Sequence, residues 1–232
     1  MKMKYRLTSI LAFGFAIAAW GQQSAPPSAK PTDSGPTLAA TMQFIQEKLS
    51  EQGKVGWAQT WSNQPGLTHR EFVNLDDVMG DPAACTLYIT ETVDITIDLP
   101  SGQVLKPGGP MTADDLSTHI VETEPISFKQ VEKITVEKYQ DIENQAYAEA
   151  AHPEITVTVT PPVFYVKLWA SSAVFSFHSS TTKGKQAPVE KDTTSKTNGL
   201  TFRDEETANK VAKAMIHAME LCGGGVTKKE LF

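Results

Sequence analysis

The segment from Asp204 to Gly225 constrains this chain more than any other. Asp204 is a good helix N-cap, and Glu205 and Glu206 follow where the helix dipole favours negative charge. Projected at about 100° per residue, Ala208, Val211, Ala212, Ala214, Met215, Ile216, Ala218, Met219, Leu221 and Cys222 fill an arc of about 220°. Asn209, Lys210, Lys213, His217 and Glu220 take the remainder, and Gly223-Gly224-Gly225 ends the helix. An apolar arc that wide needs a concave seat, such as the open end of a curved sheet.

The residues before it supply such a sheet. Thr37 reads as an N-cap for a first helix whose stripe is Leu38, Met42, Ile45 and Leu49, stopped by Gly53. From Val55 the apolar period changes from 3.6 to 2, and strand-like runs follow at 55–61, 71–75, 85–90, 93–98, 126–138, 155–160, 163–169 and 174–178. Pro100-Ser101-Gly102 predicts a hairpin over 98–104, and Pro107-Gly108-Gly109-Pro110 a second break. Thr112 with Asp115 predicts a short helical turn over 113–117. Pro161-Pro162 lacks the positive φ of a tight hairpin, so a bend is expected there. The stretches 140–153 and 179–198 read as polar connections, the second as a long loop.

Strands followed by Leu200-Thr201-Phe202-Arg203-Asp204 and a helix opening Glu205-Glu206-Thr207-Ala208 resemble a pleckstrin-homology-like domain over about 114–223. The whole chain also resembles an uncharacterised family of bacterial secreted proteins that end in the same Phe-Arg-Asp-Glu-Glu-Thr-Ala-Asn run. The resemblance implies a bent sheet plugged by its last helix. Phosphoinositide binding in that family depends on basic residues between the first two strands, and no such cluster is found, so no binding residue is carried over. The expected fold is α+β: a bent antiparallel sheet or partly open barrel closed by a C-terminal amphipathic helix, with an N-terminal helix packed on it.

Residues 1–21 have the three parts of a signal peptide: Lys2, Lys4 and Arg6, an apolar run from Leu7 to Ala19 too short for a bilayer, then small residues. Cleavage fits after Gly21 or after Ala18, the first preferred because Gln22 opens a polar stretch. The Pro-rich run 22–36 reads as a tether, 37–225 as a single domain and 226–232 as a tail. Cleavage takes three of the 21 basic residues and none of the 27 acidic ones, moving the net charge from −6 to −9. Such a chain is repelled by nucleic acid and by anionic membrane surfaces. Cys85 and Cys222 are the two cysteines. Export to an oxidising compartment, periplasmic or extracellular, predicts a disulfide between them, with two buried thiols as the alternative.

No G-x-S-x-G, P-loop, G-x-G-x-x-G, H-E-x-x-H or C-x-x-C occurs. The sequence names no catalytic residue, metal site or cofactor. His217 with Glu220 reads as a solvated pair, and Asp76-Asp77 and Asp114-Asp115 as loop and cap residues. Asp94 and Asp98 share an outward strand face. One aromatic feature stands out. With Phe164, Val166 and Leu168 turned to the core, Tyr165, Lys167 and Trp169 face the other way, and His178, with Ser176, is expected on the corresponding face of the next strand. That face is either a binding patch or the seat of the N-terminal helix. The composite expectation is an exported, non-catalytic binding or interaction module of the bacterial envelope, its partner a protein or envelope component. The alternatives are a structural envelope protein or a hydrolase whose site is assembled from distant residues. A pocket lined by titratable groups with displaced pKa values would favour the enzyme. Nothing in the sequence sets the oligomeric state.

Overall fold

The computed structural model describes residues 35–100 and 117–224. The signal segment 1–21, nearly all of the tether, the turn of the 98–104 hairpin, the break at 107–110, most of the turn expected at 113–117 and the 226–232 tail lie outside those residues.

Helix α1 (Leu38–Gln52) starts where Thr37 accepts the Ala40 N–H through its side chain at 3.3 Å, and Gly53 ends it with a φ of 59°. Strands β1 (Val55–Trp61), β2 (Thr68–Asp81), β3 (Thr86–Asp98) and β4 (Ser117–Ser127) follow. Next come β5 (Lys133–Lys138), α2 (Tyr139–Glu149), β6 (Val157–Thr160) and β7 (Phe164–Trp169). The chain finishes with β8 (Phe175–Lys183), β9 (Val189–Ser195), β10 (Thr197–Phe202) and α3 (Glu205–Leu221). They form a seven-stranded sheet in the order β6-β1-β2-β3-β4-β8-β9 and a three-stranded sheet β10-β7-β5. The strand pairings are antiparallel, and the fold is α+β with a helix from each end of the chain packed on the sheets.

Two apolar clusters hold these layers. In the first, Leu87, Ile89 and Ile126 of the long sheet meet Val166, Leu168 and Leu200 of the small one, under Met42, Ile45 and Leu49 of α1 and Val211, Met215 and Met219 of α3. Each such side chain contributes about 1.5–3 kcal/mol on burial. The stripe of α1 therefore lies on α3 and the end of β2, and does not cover the Tyr165 face. In the second cluster Val55, Trp57, Val73, Val157, Val159 and Val163 are roofed by Tyr139 and Tyr147 at the two ends of α2. Cys85 and Cys222 form a disulfide with Cα atoms 5.9 Å apart, fixing the start of β3 to the end of α3.

A bulge in β2 keeps the long sheet's inner face coherent. Register shifts between Leu75 and Asp77, so Leu75 faces Glu91 while Val78 faces Ile89, and Val73, Leu75 and Val78 all turn inward.

The structure corrects several expectations. The polar stretch 140–153 contains α2, which has no fully buried residue of its own and so shows no apolar period. It is held instead by side chains: Gln140 Oε1 accepts the Val159 N–H at 3.0 Å, and Asn144 Oδ1 accepts the Val157 N–H at 2.7 Å. The stretch 179–198 is a hairpin of β8 and β9, whose edge strand is exposed along most of its length. The run 126–138 is two strands separated by a turn, since Gln130 N donates to Ser127 O. Leu221, assigned to the apolar arc of the last helix, is 48% exposed, one turn beyond the sheet seat.

A buried carboxylate cluster as the candidate site

The polar cluster lies between the two apolar ones. Alternation along β3 sends Leu87, Ile89, Glu91, Val93 and Ile95 to one face. Antiparallel register then sets Glu122 directly across from Glu91, with Glu124 across from Ile89. On the other side Glu71 stands across from Trp57, and His69 across from Gln59. Directly opposed residues share a face, so four glutamates from three adjacent strands converge on the inside of the sheet.

The opposing wall is aromatic. Tyr139, at the start of α2, lies edge-on to Trp57 with centroids 5.3 Å apart, and its hydroxyl bonds Gln59 and Glu143. Tyr165 of β7 stands 6.2 Å from Tyr139, ring to ring. It lies flat across β10 because position 199 is glycine: an added Cβ would fall 2.2 Å from the tyrosine ring. Asn198 of the same strand donates to Glu124 at 2.5 Å, and Glu124 is 3% exposed.

No Lys, Arg or protonated partner pairs with these carboxyls among the described residues, and the electrostatics follow from that. Burial, then the charge of Glu143, pushes Glu71 up to about 7. Burial raises Glu91 to about 7 as well, reinforced by Glu122, Glu71 and Asp76. Glu124 goes to about 8 through burial and Glu91, despite the Asn198 bond that favours its ionised form. Burial also raises Glu122. The hydroxyls of Tyr139 and Tyr165 are held protonated, first by burial and then by the surrounding glutamates. Near neutral pH Glu71, Glu91 and Glu124 are shared between acid and carboxylate forms.

The sequence-predicted site residues divide. Tyr165 belongs to this cluster, its hydroxyl beside the glutamates. Lys167 and Trp169 stand on the same face of β7, with the ammonium 4.2 Å above the indole, and Trp169 is 37% exposed at the rim. His178 does not join them. Strands β7 and β8 lie in different sheets, because the chain crosses between layers at 170–174 rather than turning back beside β7. His178 instead occupies the outer face of the long sheet, where Nδ1 meets Asp192 at 2.8 Å and Nε2 meets Glu190 at 3.4 Å. Its hydrogen bond to Asp192, with the neighbouring charges, raises the imidazole pKa. A shallow depression of about 550 Å³ beside it is lined by Tyr88, Thr123 and Pro125.

Asp94 and Asp98 point outward as expected. Asp94 meets His119 at 2.8 Å and Lys54 at 3.1 Å, and the His119 bond does most to hold its carboxyl below the usual range; Asp98 meets Arg70 at 2.7 Å. Among the described residues no group of three His, Cys, Asp or Glu side chains is arranged to hold a metal ion, and no helix is long and apolar enough to cross a membrane.

Glu71, Glu91, Glu122 and Glu124 were missed by sequence reasoning, although a signal exists. Leu87-x-Ile89-x-Glu91-x-Val93-x-Ile95 and Ile120-x-Glu122-x-Glu124-x-Ile126 each carry glutamate in the apolar phase. Comparison with protein-family models, curated proteins and solved structures gave no match.

Proposed function

We propose that this protein is an exported binding module whose recognition site is the carboxylate-lined cleft, and that its ligand is cationic. One observation carries the reading: four glutamates share an inner sheet face with no cation paired to them among the described residues. Burying carboxylates without partners is unfavourable, so the arrangement lowers the stability of the free protein in a way that a bound cation reverses. At about 4 Å and an effective dielectric near 20, each ammonium–carboxylate pair is worth about 4 kcal/mol. Tyr139 and Tyr165 add aromatic surface suited to an ammonium or guanidinium group. Export rests on the leader-like segment and on a disulfide of the kind that persists in oxidising compartments.

Titration with spermine at pH 8 tests this. Binding that is weakened at least tenfold in Glu91→Gln, and unchanged in Glu190→Gln on the outer face, supports the cleft. Equal loss in both variants, or none in either, contradicts it.

A hydrolase is the second reading, because Glu91 faces Glu122 across one ladder as paired acid and base carboxyls do. Such a pair would leave Glu71 and Glu124 without a role, whereas a cation-binding face uses all four glutamates. Binding is therefore preferred.

A further inference from the structure

Carboxylates are only half of what this face leaves unpaired. Among the described residues, the indole N–H groups of Trp57 and Trp61 are buried with no acceptor, and His69 Nε2 has no partner. Trp57 is 3% exposed and stands across from Glu71; Trp61 lies four residues further along the same strand face, its ring stacked on His69 at 6.1 Å and 10°. Burial lowers the His69 pKa, so its ring is neutral near pH 7 and adds no charge. Buried unsatisfied donors are rare in native proteins and call for a partner. The β1 end of the face therefore offers donors, and the β2 to β4 part offers acceptors.

A bare amine satisfies only the acceptors. A peptide with a basic side chain satisfies both sets, since it carries a cationic head and backbone carbonyls. The row of Trp57 runs through Glu71 and Ile95 to Thr118, and Glu122 lies four residues further along β4; about 14 Å across the strands and about 13 Å along them make about 19 Å, which about six residues of extended chain span. Resting on the cationic-ligand reading above, we propose that the cleft binds a short basic peptide segment in exchange for protons. The Arg or Lys head pairs with Glu91 and Glu122, and a backbone carbonyl accepts from Trp57 Nε1. Each carboxyl that is protonated beforehand loses its O–H proton to the buffer and becomes the carboxylate of the new ion pair. The other charged and titratable groups facing this exchange are Glu71, Asp76, Glu124, Glu143, His69, Tyr139 and Tyr165. Two lysines stand nearby: Lys167 over Trp169 at the rim, and Lys191, separated from Glu122 by Ser179 in the ladder. Neither is paired with a cleft glutamate among the described residues.

The test is calorimetric titration of the full-length exported protein with hexa-arginine amide, and with spermine as the cation that lacks carbonyls. Runs at pH 8 and pH 5.5, and at pH 7 in two buffers of different ionisation enthalpy, measure affinity and proton release. Expected are tighter peptide binding at pH 8 than at pH 5.5 by at least tenfold, net proton release at pH 7, and less release in Glu122→Gln. Trp57→Phe should weaken the peptide at least fivefold and leave spermine unchanged. Thermal melts of both variants verify folding, and Glu122→Gln carries the test if Trp57→Phe unfolds. Peptide binding with no proton release overturns the exchange while leaving the cationic cleft intact. Peptide and spermine responding alike to Trp57→Phe overturns the carbonyl contact. Failure of both ligands at pH 8 overturns the cleft reading itself.

Discussion

A carboxyl group carried from water into a protein interior loses its hydration, and Glu91 recovers none of that from a cation. Its native pKa of about 7 stands well above the value near 4.3 of an unfolded glutamate. The native state therefore binds the proton more tightly than the unfolded state does. The stability linked to this group is fully present below about pH 4.3 and is lost as pH rises through 7. Glutamine keeps the shape and cannot ionise. Glu91→Gln should raise the unfolding free energy at pH 8 by about 2 kcal/mol and change it little at pH 5, measured by urea denaturation at both pH values. Equal effects at the two pH values would mean that hydrogen bonding, not charge, governs this position. Glu124 differs in having Asn198 as a donor, so its substitution by glutamine also disturbs a buried hydrogen bond.

At the scale of elements, what decides each helix is how it is held. Asp204 Oδ1 accepts the Thr207 N–H at 2.7 Å at the start of α3, and Ala208, Val211, Ala212, Met215, Ala218 and Met219 are buried below it. Met215→Asp sets an unpaired charge in that seat and should cost several kcal/mol, on the order of a whole domain's stability. His217 faces the polar side, as its sequence position predicts, but it is half-buried and Nε2 donates to the Pro36 carbonyl at 2.9 Å. His217→Ala should therefore cost about 1 kcal/mol, more than a bare surface site, in the same denaturation assay. Helix α2 works differently, since Gln140 and Asn144 satisfy backbone groups of β6 at the edge of the long sheet. Asn144→Ala leaves the Val157 N–H without its partner and should cost about 1–2 kcal/mol, with faster hydrogen exchange in β6.

These elements differ in legibility for physical reasons. Helices α1 and α3 bury a single stripe and were readable from period alone. Helix α2 is fastened by amides, and edge strand β9 is wetted on both faces, so neither carries an apolar period. The cleft was hidden by the same logic: Glu91 and Thr92 interrupt the apolar run, so β3 reads as two strands when it is one. Tyr165 was legible through alternation, whereas separating His178 from it requires knowing that β7 and β8 join different sheets.

For the whole molecule, two forces set the conditions under which it is stable. The Cys85–Cys222 bond closes a loop of 137 residues, and its reduction should lower stability by about 5 kcal/mol on chain entropy, read as a drop in Tm with dithiothreitol. The glutamates act through pH. Between about pH 4.5 and 8 the native state holds protons that the unfolded chain releases, so stability falls as pH rises through this window. Asp94, whose carboxyl is stabilised as the anion by His119, acts with the opposite sign and only at more acid pH. A cation is needed at the cleft only while its carboxyls are unpaired, and side-chain carboxyl ¹³C NMR measures that without any ligand. In a titration from pH 3 to 9, Glu71 and Glu91 should show midpoints near 7 and Glu124 near 8, with solvated glutamates near 4.3 as internal reference. Midpoints below 5 for all of the cleft glutamates would mean that they are ionised and compensated, and the cleft would then have no need of a cation.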